Sequence, residues 1–304
     1  KWADSTYETI LRDVIWDVGR SGVISPVAVF DEVDLEGALT TRATLHNLSI
    51  IESLELGIGD TITVYRSNMV IPKIDDNLTR SNTLVIPDKC PCCGEETVVK
   101  DTDNSQVLMC LNPDCSAKKI AQFTHFVGRK CMNIDGLSEK TLETLLSDGF
   151  IHNFKDIYHL SDHRQQLIHL DGFGKKSVEK LLKSIEDSRN VKLENFIAAL
   201  GIPNIGLSAA KTISAYFDDP NEWYHIGISQ PFKYTLLDDF GETMMCNIHN
   251  FAAENRDMIA DLMAEMNFMK TATTKLFKVT DDISEAISYI ENYDEEQVEI
   301  NKLK

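Results

Sequence analysis

Seven cysteines occur in the 304 residues, and five fall between positions 90 and 115. Cys90-Pro-Cys-Cys93 is followed, after sixteen residues, by Cys110-Leu-Asn-Pro-Asp-Cys115. Two such pairs, each beside a turn residue, bring four thiolates into a tetrahedron around zinc. Gly94 and Asn112-Pro113 supply the tight backbone. Cys92 lies between ligand positions and competes with Cys93. The two-residue gap from Cys90 favours Cys93, so the expected ligands are Cys90, Cys93, Cys110 and Cys115. Four thiolates fill the shell, which makes the site structural rather than catalytic. Cys131 and Cys246 stand in helical contexts and read as packing residues. The competing reading, chance clustering or disulfides, fits a chain with no secretory pattern poorly. Metal binding in a reducing cytoplasm is the expectation.

A second chemistry lies in recurring turns. They centre on Asp135-Gly136-Leu137, Asp171-Gly172-Phe173-Gly174, Pro203-Asn204-Ile205-Gly206 and Asp239-Phe240-Gly241, at intervals of roughly 32–36 residues. Each precedes a helical pattern. Backbone N–H groups at a helix N-terminus, with the helix dipole behind them, suit a phosphate oxygen. Such contacts ignore base identity. Leu170-Asp-Gly-Phe-Gly-Lys-Lys176 is the strongest example, because Lys175 and Lys176 add charge beside the turn. A lone Gly-x-Gly is an ordinary helix-helix turn; four at one period after a cysteine cluster point to duplex DNA.

The elements that position these groups follow from periodicity. Residues 8–76 read as β. Val14, Trp16 and Val18 alternate, Gly19 to Gly22 form a turn, and Val23 to Phe30 make a strand. Pro26 inside it predicts an edge or a bulge. Thr61 to Arg66 alternate again after Gly59-Asp60. Ala43, Leu45, Leu48 and Ile51 fall on one face, predicting a helix over 43–54. Several strands and one helix in this length suggest a small barrel such as an OB-fold. Arg20 after a turn glycine, and Arg66 at a strand end, could touch phosphates. Val70-Ile-Pro72 could be a strand end or an apolar pair for the minor groove. From about 117 to 268 the pattern is helical. Residues 269–304 lose the rhythm, with a helix expected over 282–292 and a mobile acidic end.

The net charge of −18 argues against a nucleic-acid partner at first sight. Its distribution weakens that argument. Asp281, Asp282, Glu285, Glu291, Asp294, Glu295, Glu296 and Glu299 crowd the tail, whereas Lys118-Lys119, Arg129-Lys130 and Lys175-Lys176 survive elsewhere. No long apolar run marks a membrane span. An opening Lys1, rather than Met, suggests a fragment or processed chain.

Taken together, the motifs resemble a family. Val18-Gly-Arg-Ser-Gly-Val-Ile-Ser-Pro-Val-Ala28, Arg42-Ala-Thr-Leu-His-Asn47, Gly59-Asp60 and Val70-Ile-Pro72 are similar to the OB domain of bacterial NAD-dependent DNA ligases. The cysteine knuckle follows in the expected place. Phe126-Val-x-Arg-Lys130, Asp135-Gly136, Leu170-Asp-Gly-Phe-Gly174, Ala199-Leu-Gly-Ile202 and His249-Asn-Phe251 resemble its helix-hairpin-helix domain. The resemblance covers about residues 1–268. It implies nick sealing with NAD and magnesium by a nucleotidyltransferase domain, in which a lysine is adenylated. It implies DNA contacts from Arg20, Ser21, Arg66, Val70 and Ile71. It also extends them to Arg129, Lys130, Gly136, Gly172, Gly174, Lys175, Lys176, Gly206 and Gly241. Lys1 would be that domain's last nucleotide-contacting lysine, although Lys1-Trp-Ala-Asp departs from the family's Lys-Phe-Pro-Ala. The family's Ala-Gly-Asp before Val-Ile-Pro reads Ser67-Asn68-Met69 here. Ser138 replaces a glycine in the first hairpin and Asp239 one in the fourth. The usual C-terminal BRCT module is not recognisable.

The expected architecture is therefore multidomain. Residues 1–7 end a nucleotidyltransferase domain or linker, 8–76 form an OB-fold, and 77–118 a linker and four-cysteine zinc finger. Residues 119–268 form an all-α helix-hairpin-helix domain, and 269–304 an acidic tail. The expected role is a clamp on nicked double-stranded DNA. No membrane is involved, and the nucleotidyltransferase partner is supplied in cis or as a separate subunit. This chain alone is expected to be inactive. The alternatives are a non-enzymatic DNA-binding or repair accessory protein with the same modules, or a ligase remnant. The finger is expected to act as a joint between barrel and hairpins.

Overall fold

A computed structural model describes residues 5–68, 70–102, 105–170, 172–217 and 219–269. Lys1, Asp171, the helix expected over 282–292 and the acidic run lie outside the described residues. The chain divides into two compact units, residues 1–122 and 123–304.

The first unit is a coiled antiparallel sheet. Strands β1 (Tyr7–Val18), β2 (Val23–Asp34) and β3 (Leu39–Thr44) lead to helix α1 (Leu48–Ser53). Strands β4 (Thr61–Ser67), β5 (Ile71–Asn77), β6 (Thr97–Thr102) and β7 (Ser105–Cys110) follow. The order is β5-β4-β1-β2-β7-β6, with β3 also paired to β2. β1 is long because it serves two neighbours. Tyr7 to Ile10 pair with β4, and Leu11 to Val18 pair with β2. A register shift between Leu11 and Asp13 marks the change of partner. Alternation turns Leu11, Val14, Ile24, Ala28, Phe30, Ile62 and Val64 into one buried core.

Pro26 pairs with Trp16 on one side and lies on a locally open edge on the other, between the stretches of β2 that pair with β7 and β3. Its carbonyl accepts from Leu45 N–H, so its missing donor faces the side where β3 has already ended. Residues 43 and 44 belong to β3 rather than to a helix. The helix starts only after Asn47, whose side chain caps Ile50 N–H. Within the stretch read as linker and zinc finger, the segment between the cysteine pairs forms the β6–β7 ribbon, whose β7 pairs with β2 through Val23↔Met109 and Ile24↔Leu108. The cysteine cluster therefore shares the barrel's unit and core.

Asp60 holds the loops of this unit together. Its buried carboxylate accepts from Gly57 N–H at 2.8 Å, the Asn77 amide at 2.7 Å and Ser81 N–H at 3.3 Å. Burial pushes the carboxyl up, yet the hydrogen bonds from Ser81, Asn77 and Gly57 hold it below the ordinary value of 3.8.

The second unit is helical. Helix α2 (Ser116–Val127) leads into it, followed by α3 (Glu139–Ser147), α4 (Phe154–Ile157), α5 (Arg164–Leu167) and α6 (Lys175–Ser188). The two-residue strand β8 (Asn190–Val191) precedes α7 (Leu193–Leu200), α8 (Leu207–Ser214) and α9 (Pro220–Ser229). Then come α10 (Glu242–Glu254), α11 (Arg256–Glu265) and β9 (Asn267–Phe268), which pairs parallel with β8. The four predicted hairpins enter α3, α6, α8 and α10. Each has a left-handed residue two places before the N-cap: Gly136 (φ 96°), Gly172 (81°), Asn204 (62°) and Asp239 (64°). An apolar residue follows it, namely Leu137, Phe173, Ile205 or Phe240, and packs into or against the core. In three hairpins that residue's N–H closes the turn onto the carbonyl three places back, Leu170, Ile202 or Leu237. The repeat is thus one backbone shape, anchored by one apolar residue on each side.

Replacing Asp60 by Asn removes an acceptor and leaves buried N–H groups facing an NH₂. We expect a loss of about 1–3 kcal/mol in denaturant unfolding of the first unit. The wild-type contribution is complete above pH 3.8 and falls as pH drops through the lower folded value, so Asp60→Asn should flatten this acid limb. An unchanged midpoint and acid limb would show that Asp60 is dispensable.

Candidate metal centre and nucleic-acid interface

The ligand atoms of Cys90, Cys93, Cys110 and Cys115 all lie within 4.8 Å of one another. Cys93 Sγ is 3.6 Å from Cys110 Sγ, and Cys90 Sγ is 4.0 Å from Cys115 Sγ. A tetrahedron with metal–sulfur bonds of about 2.3 Å has edges of about 3.8 Å, so the arrangement fits a thiophilic ion. Cys92 is exposed and turns to the Ser116 hydroxyl at 3.2 Å, which leaves Cys93 in the cluster as the spacing predicted.

The elements around the cluster place donors on the sulfurs. Gly94, left-handed at φ 73°, bends the first knuckle, and its N–H donates to the Cys90 carbonyl. The Glu95 N–H is the main cause that lowers Cys93 to about 6, with help from Asn112. Burial pushes Cys115 up to about 12, against N–H groups of Lys118 and Ala117 at the start of α2. Burial also raises Cys110. Crowded thiols thus resist full ionisation without a cation, while backbone donors stand ready for thiolates. The predicted packing role of Cys131 agrees with its burial, and Cys246 packs against the same core.

The residues expected to meet DNA fall into two sets. In the first unit, Arg20 and Ser21 occupy the Gly19–Gly22 turn, and Ser21 is exposed. Arg66, Val70 and Ile71 share the β4–β5 hairpin, where Arg66 pairs with Pro72. Val70 is 69% exposed and Ile71 47%, and other aliphatic residues of this unit are exposed too, Val98 and Val99 among them. Arg20 Nη1 and Arg66 Nε are buried without a hydrogen-bond acceptor among the described residues. The departure at 67–69 leaves the turn intact in one respect. Asn68 takes the left-handed φ of 52° that a glycine would adopt, and Val70 N–H closes onto the Ser67 carbonyl.

In the second unit, Arg129 and Lys130 are exposed on the turn after α2. Lys175 and Lys176 are exposed on the first turn of α6. The hairpins are not equivalent. A side chain added at Gly172, Gly174, Gly206 or Gly241 would meet nothing within 4 Å, although the Gly174 N–H already donates to the Ser177 hydroxyl at 2.8 Å. Gly136 instead faces Leu181 at 3.4 Å. Ser138 caps its own helix through Thr141 N–H at 3.2 Å, a bond that a glycine there could not make. The fourth hairpin keeps its shape with Asp239 in the left-handed position. Sequence reasoning overlooked Gly22, whose close approach to Cys110 is described below; only its place beside Arg20 hinted at it.

A four-cysteine cluster built into the same unit as a coiled β-barrel, in a chain that continues as a helical unit of repeated hairpins, defines the class of fold. Residues 8–84 match the NAD-dependent DNA ligase OB-fold domain. The chain is 42% identical over 301 residues to a DNA ligase of Lachnoclostridium phytofermentans, covering 97% of this chain and 46% of that protein. It is 39% identical over 306 residues to a DNA ligase of Ruminiclostridium cellulolyticum, covering 94% and 46%. A DNA ligase of Pediococcus pentosaceus is 36% identical over 263 residues, covering 84% and 38%. The chain carries the OB-fold domain of the NAD-dependent DNA ligases and is related to DNA ligases along nearly its whole length. It spans a little under half the length of these relatives. Among the described residues, no helix is long and apolar enough to cross a membrane.

Metal analysis of the purified chain should find one divalent ion per molecule. Cys92→Ser should keep it, and Cys93→Ser should lose most of it. The reverse pattern would reassign the ligands.

Proposed function

We propose that this chain is the duplex-gripping portion of an NAD-dependent DNA ligase, with zinc held by Cys90, Cys93, Cys110 and Cys115. One observation carries the reading. Arg20 and Arg66, the two arginines that family resemblance assigns to DNA, each bury a guanidinium nitrogen with no acceptor among the described residues. An unsatisfied buried donor costs about 1–3 kcal/mol, which a phosphate oxygen would relieve. Val70 and Ile71 stand beside Arg66 as an apolar wedge for the minor groove.

The hairpins add contacts that need no net positive charge. Open N-cap glycines 206 and 241 present amides to phosphates; in the second hairpin the Gly174 N–H already donates to the Ser177 hydroxyl, so Lys175 and Lys176 supply its contact. The first hairpin, closed by Ser138 and by Gly136 against Leu181, serves as scaffold. The fourth binds phosphate weakly, because Asp239 sets a carboxylate beside it. Arg129 and Lys130 are assigned to backbone contacts. The four thiolates complete zinc's shell and leave no position for catalysis.

The substrate is nicked double-stranded DNA in the cytoplasm. Adenylation by NAD with magnesium is assigned to a nucleotidyltransferase domain, in cis or in a separate subunit, rather than to these 304 residues.

Fluorescence anisotropy with nicked and intact duplexes across a salt series tests this. We expect preference for the nick and an affinity that falls linearly on a log–log salt plot. Arg20→Ala and Arg66→Ala should each weaken binding about tenfold, at unchanged metal content. Asp239→Asn should strengthen it about two- to fivefold at low salt. Absence of duplex binding overturns the reading. Sealing by the 304 residues alone, with NAD and magnesium, overturns the division of labour.

A further inference from the structure

The turn that carries Arg20 is held from two sides. Within the barrel, Gly22 N–H donates to the Gly19 carbonyl at 2.9 Å, and Gly19 N–H to the Val23 carbonyl at 2.8 Å. Toward the cysteine ribbon, the Gly22 carbonyl accepts from Cys110 N–H at 2.8 Å. The contact is too close for a side chain. With φ at +85°, a Cβ on Gly22 would lie 2.4 Å from the Cys110 carbonyl oxygen. It would also lie 3.4 Å from the end of Lys118, whose ammonium donates to the Asn112 carbonyl between the last two cysteines. The Gln122 amide reaches the Arg20 carbonyl itself at 3.5 Å. Arg20 is therefore two residues from a backbone bond to a metal-binding cysteine. Arg66 is not tied in this way, since β4 pairs only with β1 and β5.

We infer that the four-cysteine centre fixes the position of the Arg20 guanidinium, and that Gly22 is the positioning residue that joins them. The inference rests on the metal and duplex readings above. An ion drawing in the Cys110 sulfur fixes the Cys110 amide. That amide holds the Gly22 carbonyl, and Gly22 alone allows the ribbon to come this close. The turn is then pinned at both ends, and Arg20 is presented with one nitrogen already desolvated. Without the ion, the crowded thiols repack, the Gly22 contact loosens and Arg20 regains rotational freedom. The coupling is reciprocal, so a duplex gripped by Arg20 slows loss of the ion.

The test uses the full chain, loaded with zinc or stripped by a chelator. Hydrogen–deuterium exchange is followed in peptides covering residues 19–24 and 61–67. Stripping should speed exchange about tenfold or more in the first and leave the second unchanged. Equal acceleration in both would mean that the ion merely holds the unit folded, and acceleration in neither would mean no coupling; either overturns the inference. In the duplex arm, Arg20→Ala should weaken binding about tenfold in loaded protein and less than about twofold in stripped protein. Arg66→Ala should cost the same in both. An Arg20→Ala effect that survives stripping in full overturns the inference. Gly22→Ala should keep thiolate–cobalt charge-transfer bands after Co²⁺ substitution, yet bind duplex no better than Arg20→Ala; wild-type binding by this variant overturns it. If no form binds duplex, the duplex reading falls, and the exchange comparison by itself decides the coupling.

Discussion

Four cysteine sulfurs held within 4.8 Å of one another are the constraint on which the first unit depends; burial raises Cys110 and Cys115, whereas the Glu95 N–H lowers Cys93. The sulfurs stand at the spacing that a thiophilic ion needs, and backbone N–H groups of Glu95, Asn112, Ala117 and Lys118 donate to them. The ribbon that carries Cys110 pairs with β2, one of the barrel's two longest strands. Leu108, Cys110 and Cys115 join Leu11, Ile24 and Ile62 in one apolar cluster. The cysteine cluster and the barrel therefore share one core, with Gly22 at their contact.

The helical unit depends on a different constraint, repeated four times. A chain that must reverse and enter a helix within five residues needs one left-handed position and one apolar anchor on each side. Glycine meets the first need at 136 and 172, asparagine at 204 and aspartate at 239. Asn and Asp tolerate that conformation better than other residues with a Cβ. The backbone shape is thus preserved while the local charge and accessibility vary. Variation of this kind lets one fold element be scaffold in the first hairpin and open to a ligand in the others.

Net charge proves a poor guide to such a chain. The total of −18 coexists with amide-lined turns and with arginines whose donors lack acceptors. Backbone dipoles and a few desolvated guanidinium groups act over short distances, where screening by salt is weak. Distant acidic residues act mostly beyond that range.

Much of this was legible in the residues alone. Cys90, Cys93, Cys110 and Cys115 stood out by spacing, because knuckle geometry is local. The four hairpins stood out by period, because each turn is specified within a few residues. Element types over 43–44 and 97–110 were not legible. Residues 43–44 carry apolar spacing compatible with either helix or strand, and only pairing with Val27 and Ala28 settles it. Pro26 marked a local edge: its missing N–H costs nothing because β3 has ended alongside it. The equivalence of Asn68 and Asp239 to glycine needed backbone angles that no spacing reveals. So did the closure of the first hairpin onto Leu181, and the 2.4 Å limit between Gly22 and Cys110. Local chemistry was written in the sequence, whereas these contacts join residues far apart in the chain, and only the packed fold brings them within reach.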